Sequence, residues 1–367
     1  MAKGRNKQKR QQAKPEASAP TSAPSSQGSP QGGQVISKEL ASDTGRTALL
    51  EQLEQQRRSR LLTYLTLPRP DLGTQMNVDV LPILHEHLEK MGHQQRIDLF
   101  LYTRGGFTPA PARIAFLLRE YCDEFCLLIP RYAHSSGTTL ATAADEIVMH
   151  RMAELGPIDP SVANAFNPVD PNDPGKKRRI PISVEDVSAY FNLAKSHGQI
   201  AGEAMSEPLR QLAEEIHPLA LGNVYRQLSL IRTVARRLLA THMDEDKEAD
   251  RIDAIIRRLT EEFYFHEYPI SRIEARDYVG MKIKFPELEV EETIWALCSQ
   301  YDATLGLEQP AVPPNLTVAR GGGRVIVDSA VIESTEALHT YRFEGSVQPG
   351  KQPGEVDVQA RGTWGRR

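Results

Sequence analysis

The chain has 367 residues, of which 40% are hydrophobic and 25% are charged, and its formal net charge at pH 7 is -4. This length and composition predict a soluble globular protein with a sizeable core, built as one large domain with extensions or as two smaller domains. Three cysteines are too few for a disulfide framework and favour a reducing compartment, and no stretch of about twenty apolar residues predicts a membrane span. We therefore expect a cytoplasmic protein without a secretory signal.

Residues 1–35 form a basic and polar segment. Six lysines and arginines precede its single acidic residue, Glu16, and Ser, Ala, Pro, Gln and Gly dominate the remainder. Such a composition buries too little apolar surface to offset the entropy of ordering, so we expect a disordered tail. The basic head has the charge to contact nucleic acid, with a solubilising tail as the alternative. The rest of the chain is net acidic, which argues against nucleic acid as the main substrate.

Strand and helix patterns alternate after this tail. They predict, in chain order, a helix over 44–58, a strand over 59–67, a helix over 79–91, a strand over 97–102, a helix over 111–122, a strand over 125–129 and a helix over 137–144. Short buried strands that alternate with helices predict right-handed crossovers and a largely parallel sheet. Ligands of such sheets bind beyond the carboxyl ends of the strands.

Two turns that follow buried strands carry the residues of interest. Arg-Gly-Gly at 104–106 follows the strand over 97–102, and paired glycines there let the backbone aim N–H groups outward, as an oxyanion hole requires. A tight turn into a proline-rich helix start is the alternative. The second turn carries Ser135 between a strand and a small-residue helix, which is how several unrelated hydrolases present a nucleophile. The alternative for Ser135 is a helix N-cap.

Several motifs in one order extend this pattern. After Arg-Gly-Gly come Tyr-Ala-His-Ser-Ser-Gly-Thr at 132–138, Ala-Asp-Glu-Ile-Val-Met at 144–149, Leu-Gly-Pro-Ile-Asp-Pro at 155–160, Ile-His-Pro-Leu-Ala-Leu-Gly at 216–222 and His-Glu-Tyr-Pro-Ile at 266–270. Over roughly residues 59–283 the chain resembles the serine dehydrogenase proteinase family, of the Clp peptidase and signal peptide peptidase A group. The resemblance implies an α/β fold, a Clp/crotonase-like spiral of ββα units with a mainly parallel sheet, added helices and a C-terminal hairpin.

The resemblance also assigns roles at the two turns. Family members carry Ser-Ala-Gly or Ser-Gly-Gly where this chain has Ser-Ser-Gly, which makes Ser135 rather than Ser136 the implied nucleophile. The backbone N–H of Ser136 is the first implied oxyanion donor, and Gly105 or Gly106 supplies the second. Negative charge that develops on a substrate carbonyl oxygen is stabilised by such donors.

The general base is the point at which the sequence departs from the pattern. Clp peptidases use a histidine about one strand and turn after the serine, but residues 156–160 contain none. Signal peptide peptidase A uses a lysine some tens of residues beyond the serine, and the residues that match this zone are Lys176 and Lys177. The alternative for these lysines is an exposed basic loop. Lys195, on a helix over 184–195, is another candidate base, and His217 is either a base or a structural histidine.

The remaining regions are additions to the basic fold. Residues 200–265 predict a helical insertion within a peptidase domain over 36–305, residues 306–347 predict a C-terminal β extension with strands over 324–332 and 338–343, and residues 348–367 predict a loose tail. Added helices in related proteases cover the groove or mediate ring assembly, so we expect a homo-oligomer.

Taken together, these features predict a soluble, ATP-independent serine endopeptidase that forms an acyl-enzyme at Ser135. Its substrates would be peptides or unfolded proteins bound in extended form beside Gly105 and Gly106. No metal and no organic cofactor is implied. The alternatives are a crotonase-like enzyme that holds an acyl-coenzyme A thioester with the same N–H groups, and a non-catalytic scaffold or binding module of the same fold.

Overall fold

The computed structural model describes residues 34–158, 161–162, 164–173, 175, 178–312, 322–350 and 356–367. Its strands, in chain order, are β1 (Gln34–Lys38), β2 (Arg60–Thr66), β3 (Gln94–Tyr102), β4 (Cys122–Ile129), β5 (Tyr132–Ala133), β6 (Glu146–Met149), β7 (Glu154–Leu155), β8 (Ser161–Val162), β9 (Ile182–Ser183), β10 (Ile270–Ser271), β11 (Ile283–Lys284), β12 (Gly323–Ser334), β13 (Ala337–Pro349) and β14 (Val356–Arg366).

The helices form a second set of elements. They are α1 (Thr44–Arg57), α2 (Leu81–Met91), α3 (Ala110–Arg119), α4 (Ser136–Ala141), α5 (Val184–Ser196), α6 (Ser206–Glu215), α7 (Pro218–Leu239), α8 (Ala249–Glu261), α9 (Arg272–Glu274) and α10 (Leu288–Leu305). Short 3₁₀ turns lie at Val78–Val80 and Gly202–Met205, and a π-helical turn lies at Ala275–Val279.

A nine-stranded sheet with the order β11-β6-β4-β3-β2-β12-β13-β14 forms the centre of the fold, and β1 pairs with β12. The strands β11, β6, β4, β3 and β2 run parallel to one another. Helices α2, α3 and α4 lie along the chain between these strands, so β3 and β4 end at the same edge and the two candidate turns follow them there. The mixed α/β fold with a mainly parallel sheet is confirmed.

Helices cover both faces of this sheet. Alternation along β2 sends Leu62 and Tyr64 into the core beneath α2, α3 and parts of α7 and α8, whereas Leu61 and Leu65 enter the core beneath α1 and α10. Burial on both faces explains why the parallel strands are nearly continuous apolar runs in the sequence. Helix α3 ends at Arg119, three residues before the predicted end, because Cys122 already begins β4.

The C-terminal hairpin joins the central sheet. Strands β12 and β13 pair antiparallel, as the sequence predicts, but β12 also pairs with β2 from Ala330 opposite Thr66 to Glu333 opposite Thr63. The C-terminal β extension predicted over 306–347 therefore adds to the same sheet as the strands of the predicted peptidase domain over 36–305. Strand β12 continues the same hydrogen-bonded layer.

Two terminal boundaries also differ from the prediction. The expected loose tail over 348–367 is wrong for residues 356–366, which form β14 and pair with β13 along its length. Strand β14 alternates half-buried and exposed side chains and packs Val356, Val358 and Ala360 against a small core, a period that its glycines and arginines conceal in the sequence. At the other end Gln34 and Val35, predicted as tail, pair with β12, and residues 1–33 lie outside the described part.

The region predicted to be helical, 200–265, contains α6, α7 and α8. Helix α8 is strongly amphipathic and buries Ile252, Ile255, Ile256 and Leu259. Within the described ranges, no helix combines the length and the apolar character that a membrane crossing needs.

Candidate active site

Ser135 lies on a strained turn between β5 and α4. Its backbone has φ 50° and ψ -109°, a region that non-glycine residues occupy only when the surrounding structure enforces it. The enforcing contacts are backbone hydrogen bonds from His134 N to Thr103 O at 3.1 Å, from Gly137 N to His134 O at 2.8 Å and from Thr139 N to Ser135 O at 2.9 Å. A sharp, strained turn from a strand into a helix is how hydrolases expose a nucleophilic serine.

The two adjacent serines differ in their side-chain contacts. Ser135 occupies the N-cap position of α4, but its side chain makes no capping hydrogen bond, so the N-cap alternative lacks the contact that defines it. Ser136 is 5% exposed, and its hydroxyl donates to Gly106 O at 3.0 Å. The Ser135 side chain is half-buried and faces a cavity. The geometry therefore favours Ser135 over Ser136 as the reactive hydroxyl.

The glycine turn packs directly against Ser135. Gly105 has φ +104°, and a Cβ added there would lie 2.9 Å from Ser135 Cβ and 3.2 Å from Ser136 N. Gly106 has φ +155°, and its added Cβ would lie 2.2 Å from Met76 O. No side chain fits at either position, so the backbone of this turn approaches both Ser135 and the segment around Met76 as closely as glycine alone permits.

Backbone N–H groups of the two turns are not equivalent. Gly105 N–H donates to Thr103 Oγ1 at 3.1 Å. The N–H groups of Gly106 and Ser136 donate to no acceptor among the residues that the structure describes. Because buried N–H groups are nearly always paired, two free donors beside one partly exposed hydroxyl form an arrangement suited to binding a carbonyl oxygen.

A cavity of ≈ 600 Å³ opens in front of Ser135. Both turns line it, together with the loop over 68–75, Thr139, Ile231 from α7 and His266. The loop is fastened to β12, because Leu67 N donates to Ser329 O at 3.0 Å and the Arg69 guanidinium donates to Asp328 O and Ser329 Oγ, each at 2.9 Å.

Four titratable side chains line this cavity among the described residues: Arg69, Asp71, Arg104 and His266. Burial lowers the pKa of Arg69 to about 10, so the guanidinium stays protonated at neutral pH. Burial alone would raise the pKa of the Asp71 carboxyl. Hydrogen bonds from the backbone N–H groups of Val312, Leu72 and Ala311 outweigh that effect and lower this pKa below its usual value.

The candidate bases from the sequence do not meet Ser135 in the described part of the chain. Lys176 and Lys177 lie outside the described residues. Lys195 lines a separate cavity between α5, α7 and α8. His217 caps α7, since its Nδ1 accepts from Leu219 N at 3.1 Å, and its ring stacks on Phe166. His217 is therefore a structural histidine in this arrangement.

Two histidines beside the turn received no role from sequence reasoning. His134 Nε2 lies 3.0 Å from Glu154 Oε1 without hydrogen-bond alignment, and burial, followed by the charges of Arg104 and His266, lowers the pKa of His134 to about 4. His266 is exposed at the cavity. Its one signal in the sequence is membership of the His-Glu-Tyr-Pro-Ile motif, which gives no hint of proximity to Ser135.

Metal ligation has no support in the described residues. They contain no group of three or more His, Cys, Asp or Glu side chains arranged to hold a metal ion. The chemistry available at this cavity is that of a serine hydroxyl, free N–H donors and a neighbouring imidazole.

Comparison with known proteins supports the same interpretation. Residues 38–170 match the sequence model of ClpP-like SDH-type serine proteinases. The chain is 33% identical over 127 residues to the uncharacterized protein MJ1495 of Methanocaldococcus jannaschii, and this alignment covers 32% of this chain and 42% of that relative. It is 28% identical over 205 residues to the uncharacterized protein MJ0137 of the same organism, and this alignment covers 56% of this chain and 58% of that relative.

The chain thus spans about half the length of the curated relatives that it matches. Both turns of the candidate site fall inside the matched segment. Residues 38–170 are therefore similar in sequence to the ClpP-like SDH-type serine proteinases.

Proposed function

We propose that this protein is a serine endopeptidase that cleaves peptide bonds through an acyl-enzyme at Ser135. The observation that carries the proposal is the Ser135 hydroxyl, which makes no capping bond and faces a cavity beside the free N–H groups of Gly106 and Ser136. The match of residues 38–170 to the model of a serine proteinase family supports the same reaction class.

The reaction begins with attack of Ser135 Oγ on the scissile carbonyl carbon. The carbonyl oxygen then carries negative charge and accepts hydrogen bonds from Gly106 N–H and Ser136 N–H. One such donor contributes about 10²- to 10³-fold to the rate in comparable sites. Of the two glycines that the sequence offers as the second donor, Gly106 is the better candidate, because the N–H of Gly105 is engaged by Thr103 Oγ1.

The substrate that fits this cavity is an extended backbone segment of a peptide or unfolded protein. Arg104, Gly105, Gly106 and Ile231 of α7 all line the cavity, which therefore offers an extended chain both backbone groups and an apolar contact. We propose that hydrolysis requires no ATP. We also propose a homo-oligomer, since the added helices expose large apolar side chains at Leu193, Leu219 and Tyr225.

Fluorophosphonate labelling tests the nucleophile. We expect the native chain to react, Ser135→Ala to lose the reaction and Ser136→Ala to retain it, because alanine at 136 keeps the backbone N–H. Ser136→Ala is the matched control, since it removes the neighbouring hydroxyl and its bond to Gly106 O. Cleavage of an unstructured protein such as casein should follow the same pattern.

Two results would contradict the proposal. Labelling that persists in Ser135→Ala places the nucleophile elsewhere. Absence of both labelling and cleavage in the native chain favours a scaffold, and binding of coenzyme A thioesters in that case favours a crotonase-like enzyme that uses the same N–H groups.

A further inference from the structure

We propose that His266 is the general base that removes the proton from Ser135, an inference that rests on the proposed peptidase function. A serine hydroxyl is a weak nucleophile until a neighbouring base accepts its proton. The base must therefore lie at the cavity that Ser135 faces, and His266 is the imidazole that lines this cavity in the described part of the chain.

The other titratable groups at the cavity are poor proton acceptors. Arg69 and Arg104 carry guanidinium groups, which donate hydrogen bonds and accept none. The Asp71 carboxylate accepts hydrogen bonds from three backbone N–H groups, and its pKa is lowered, so it holds a proton poorly. An imidazole titrates near neutral pH and both accepts and returns a proton there.

A small sheet brings His266 and Ser135 to the same place. Strands β5, β7 and β10 form a three-stranded sheet in which Ala133 and Ile270 both pair with Leu155, from opposite sides. The strands β5 and β10 are thus separated by about 10 Å, twice the spacing of neighbouring strands. Strand β5 is parallel to β7 and β10 is antiparallel to it, so the residues after Ala133 and the residues before Ile270 extend beyond the same end of Leu155.

The segment before Ile270 then turns toward the cavity. Tyr268 N donates to Phe265 O at 2.9 Å, which closes a turn that contains His266. Tyr268 anchors this turn, because its hydroxyl donates to Glu274 Oε1 at 2.7 Å and its ring stacks on Phe263 with centroids 4.9 Å apart. The turn is consequently held at a fixed position while the imidazole remains exposed at the cavity.

His134 is a poorer candidate although it precedes Ser135 in the chain. Its side chain is 13% exposed, lies against Glu154 and packs on Gly156, where an added Cβ would lie 3.3 Å from the ring. Its side chain does not line the cavity that Ser135 faces. The charge of His266 is one of the causes, after burial and the charge of Arg104, that lower the pKa of His134.

The His266 imidazole accepts the hydroxyl proton of Ser135 as Oγ bonds to the carbonyl carbon, and the carbonyl π electrons move to the oxygen. The resulting imidazolium donates that proton to the amide nitrogen as the C–N bond breaks, and the amine leaves. Water then attacks the ester, His266 accepts a water proton and returns it to Ser135 Oγ, and the carboxylic acid is released.

Labelling and cleavage rates across pH 5 to 9 test this assignment with His266→Ala, His266→Gln, Lys176→Ala and Lys177→Ala. We expect both His266 variants to lose about 10²- to 10⁴-fold in rate and the two lysine variants to keep the native rate. His93→Ala is the matched control, because it removes an exposed histidine that does not line the cavity. Circular dichroism and thermal unfolding check that the variants fold, and substitution of an exposed residue should leave the stability nearly unchanged.

Chemical rescue separates a proton acceptor from a structural residue. Imidazole added to the buffer should restore part of the rate of His266→Ala and none of the rate of Ser135→Ala, and the acidic limb of the native pH–rate profile should disappear in His266→Ala without imidazole. If the native chain labels at Ser135 and His266→Ala keeps both rate and profile, the inference is overturned and the nucleophile stands. Loss of rate in a lysine variant alone transfers the role to that lysine. If the native chain neither reacts with the fluorophosphonate probe nor cleaves casein, both the peptidase proposal and the assignment of His266 are wrong.

Discussion

Substitution of Gly105 by alanine should separate the reactivity of Ser135 from the stability of the fold. The positive φ of Gly105 strains any other residue by about 1–3 kcal/mol. The new Cβ also lies 2.9 Å from Ser135 Cβ and 3.0 Å from His134 O, and overpacking of this kind costs about 1–3 kcal/mol. The free energy of unfolding should fall by roughly 2–6 kcal/mol in total.

The labelling rate of Ser135 in Gly105→Ala should fall by more than the loss of folded protein accounts for. Relief of the contact moves Ser135 or Ser136 N away from its position, and a displacement of about 1 Å in a catalytic group lowers a rate by about 10²-fold. We therefore expect fluorophosphonate labelling of the folded Gly105→Ala protein to be at least about 10²-fold slower than that of the native chain. The assay compares labelling rates per folded molecule, with the folded fraction taken from urea denaturation.

Gly92→Ala is the matched control. Gly92 has φ +65° at the end of α2, so it carries backbone strain of the same kind, but nothing lies within 4 Å of its added Cβ. It should lose about 1–3 kcal/mol of stability and no labelling rate. A Gly105→Ala protein that labels as fast as the native chain would refute the close packing of this turn on Ser135.

Three further predictions concern the framework of the fold. Asp98→Ala should lower the free energy of unfolding by about 3 kcal/mol, because Arg57 Nε lies 2.8 Å from Asp98 Oδ2 in the interior and loses a buried partner. Urea denaturation measures this loss beside that of the control Glu207→Ala, which removes an exposed ion pair. Equal losses of stability in the two variants would contradict the prediction. Burial lowers the pKa of His87 to about 3, so His87 binds a proton in the unfolded chain below pH about 6.5 but not in the folded one. The free energy of unfolding should therefore fall from pH about 6.5 toward 3 by up to about 1.4 kcal/mol per pH unit, and His87→Gln should reduce this slope; an unchanged slope would assign it to other groups. Deletion of residues 356–367 should lower the melting temperature and promote aggregation, because β13 becomes an unpaired edge; light scattering equal to that of the native chain would show that β14 protects no edge.

The sequence predicts the buried parallel strands well because their signal is local. Strands β3 and β4 lie between helical faces and are therefore apolar over most of their length, and glycine or proline punctuates their ends. Strand β14 escapes detection for the opposite reason. Only about half of its side chains are half-buried, two of those positions are the glycines Gly362 and Gly365, and exposed polar residues such as Asp357 and Gln359 lie between the others.

The candidate site divides in the same way. The turns at 104–106 and 135–137 are recognisable in the sequence because glycine and serine directly after a buried strand are typical of a few backbone conformations. The choice between Gly105 and Gly106 as donor depends on Thr103 Oγ1, a side-chain contact that no pattern records. The position of His266 at the cavity depends on β7 and β10, which have two residues each and are too short to leave a period in the sequence.

The fastening of the loop over 68–75 to β12 has a consequence for the timing of synthesis. The loop that lines the cavity is held by Asp328 and Ser329, which leave the ribosome long after Ser135 has emerged. A nascent chain can therefore form the serine turn but not the finished cavity, and domains generally fold as units once their last strands are available. The candidate site is thus complete only after Asp328 and Ser329 have been synthesised.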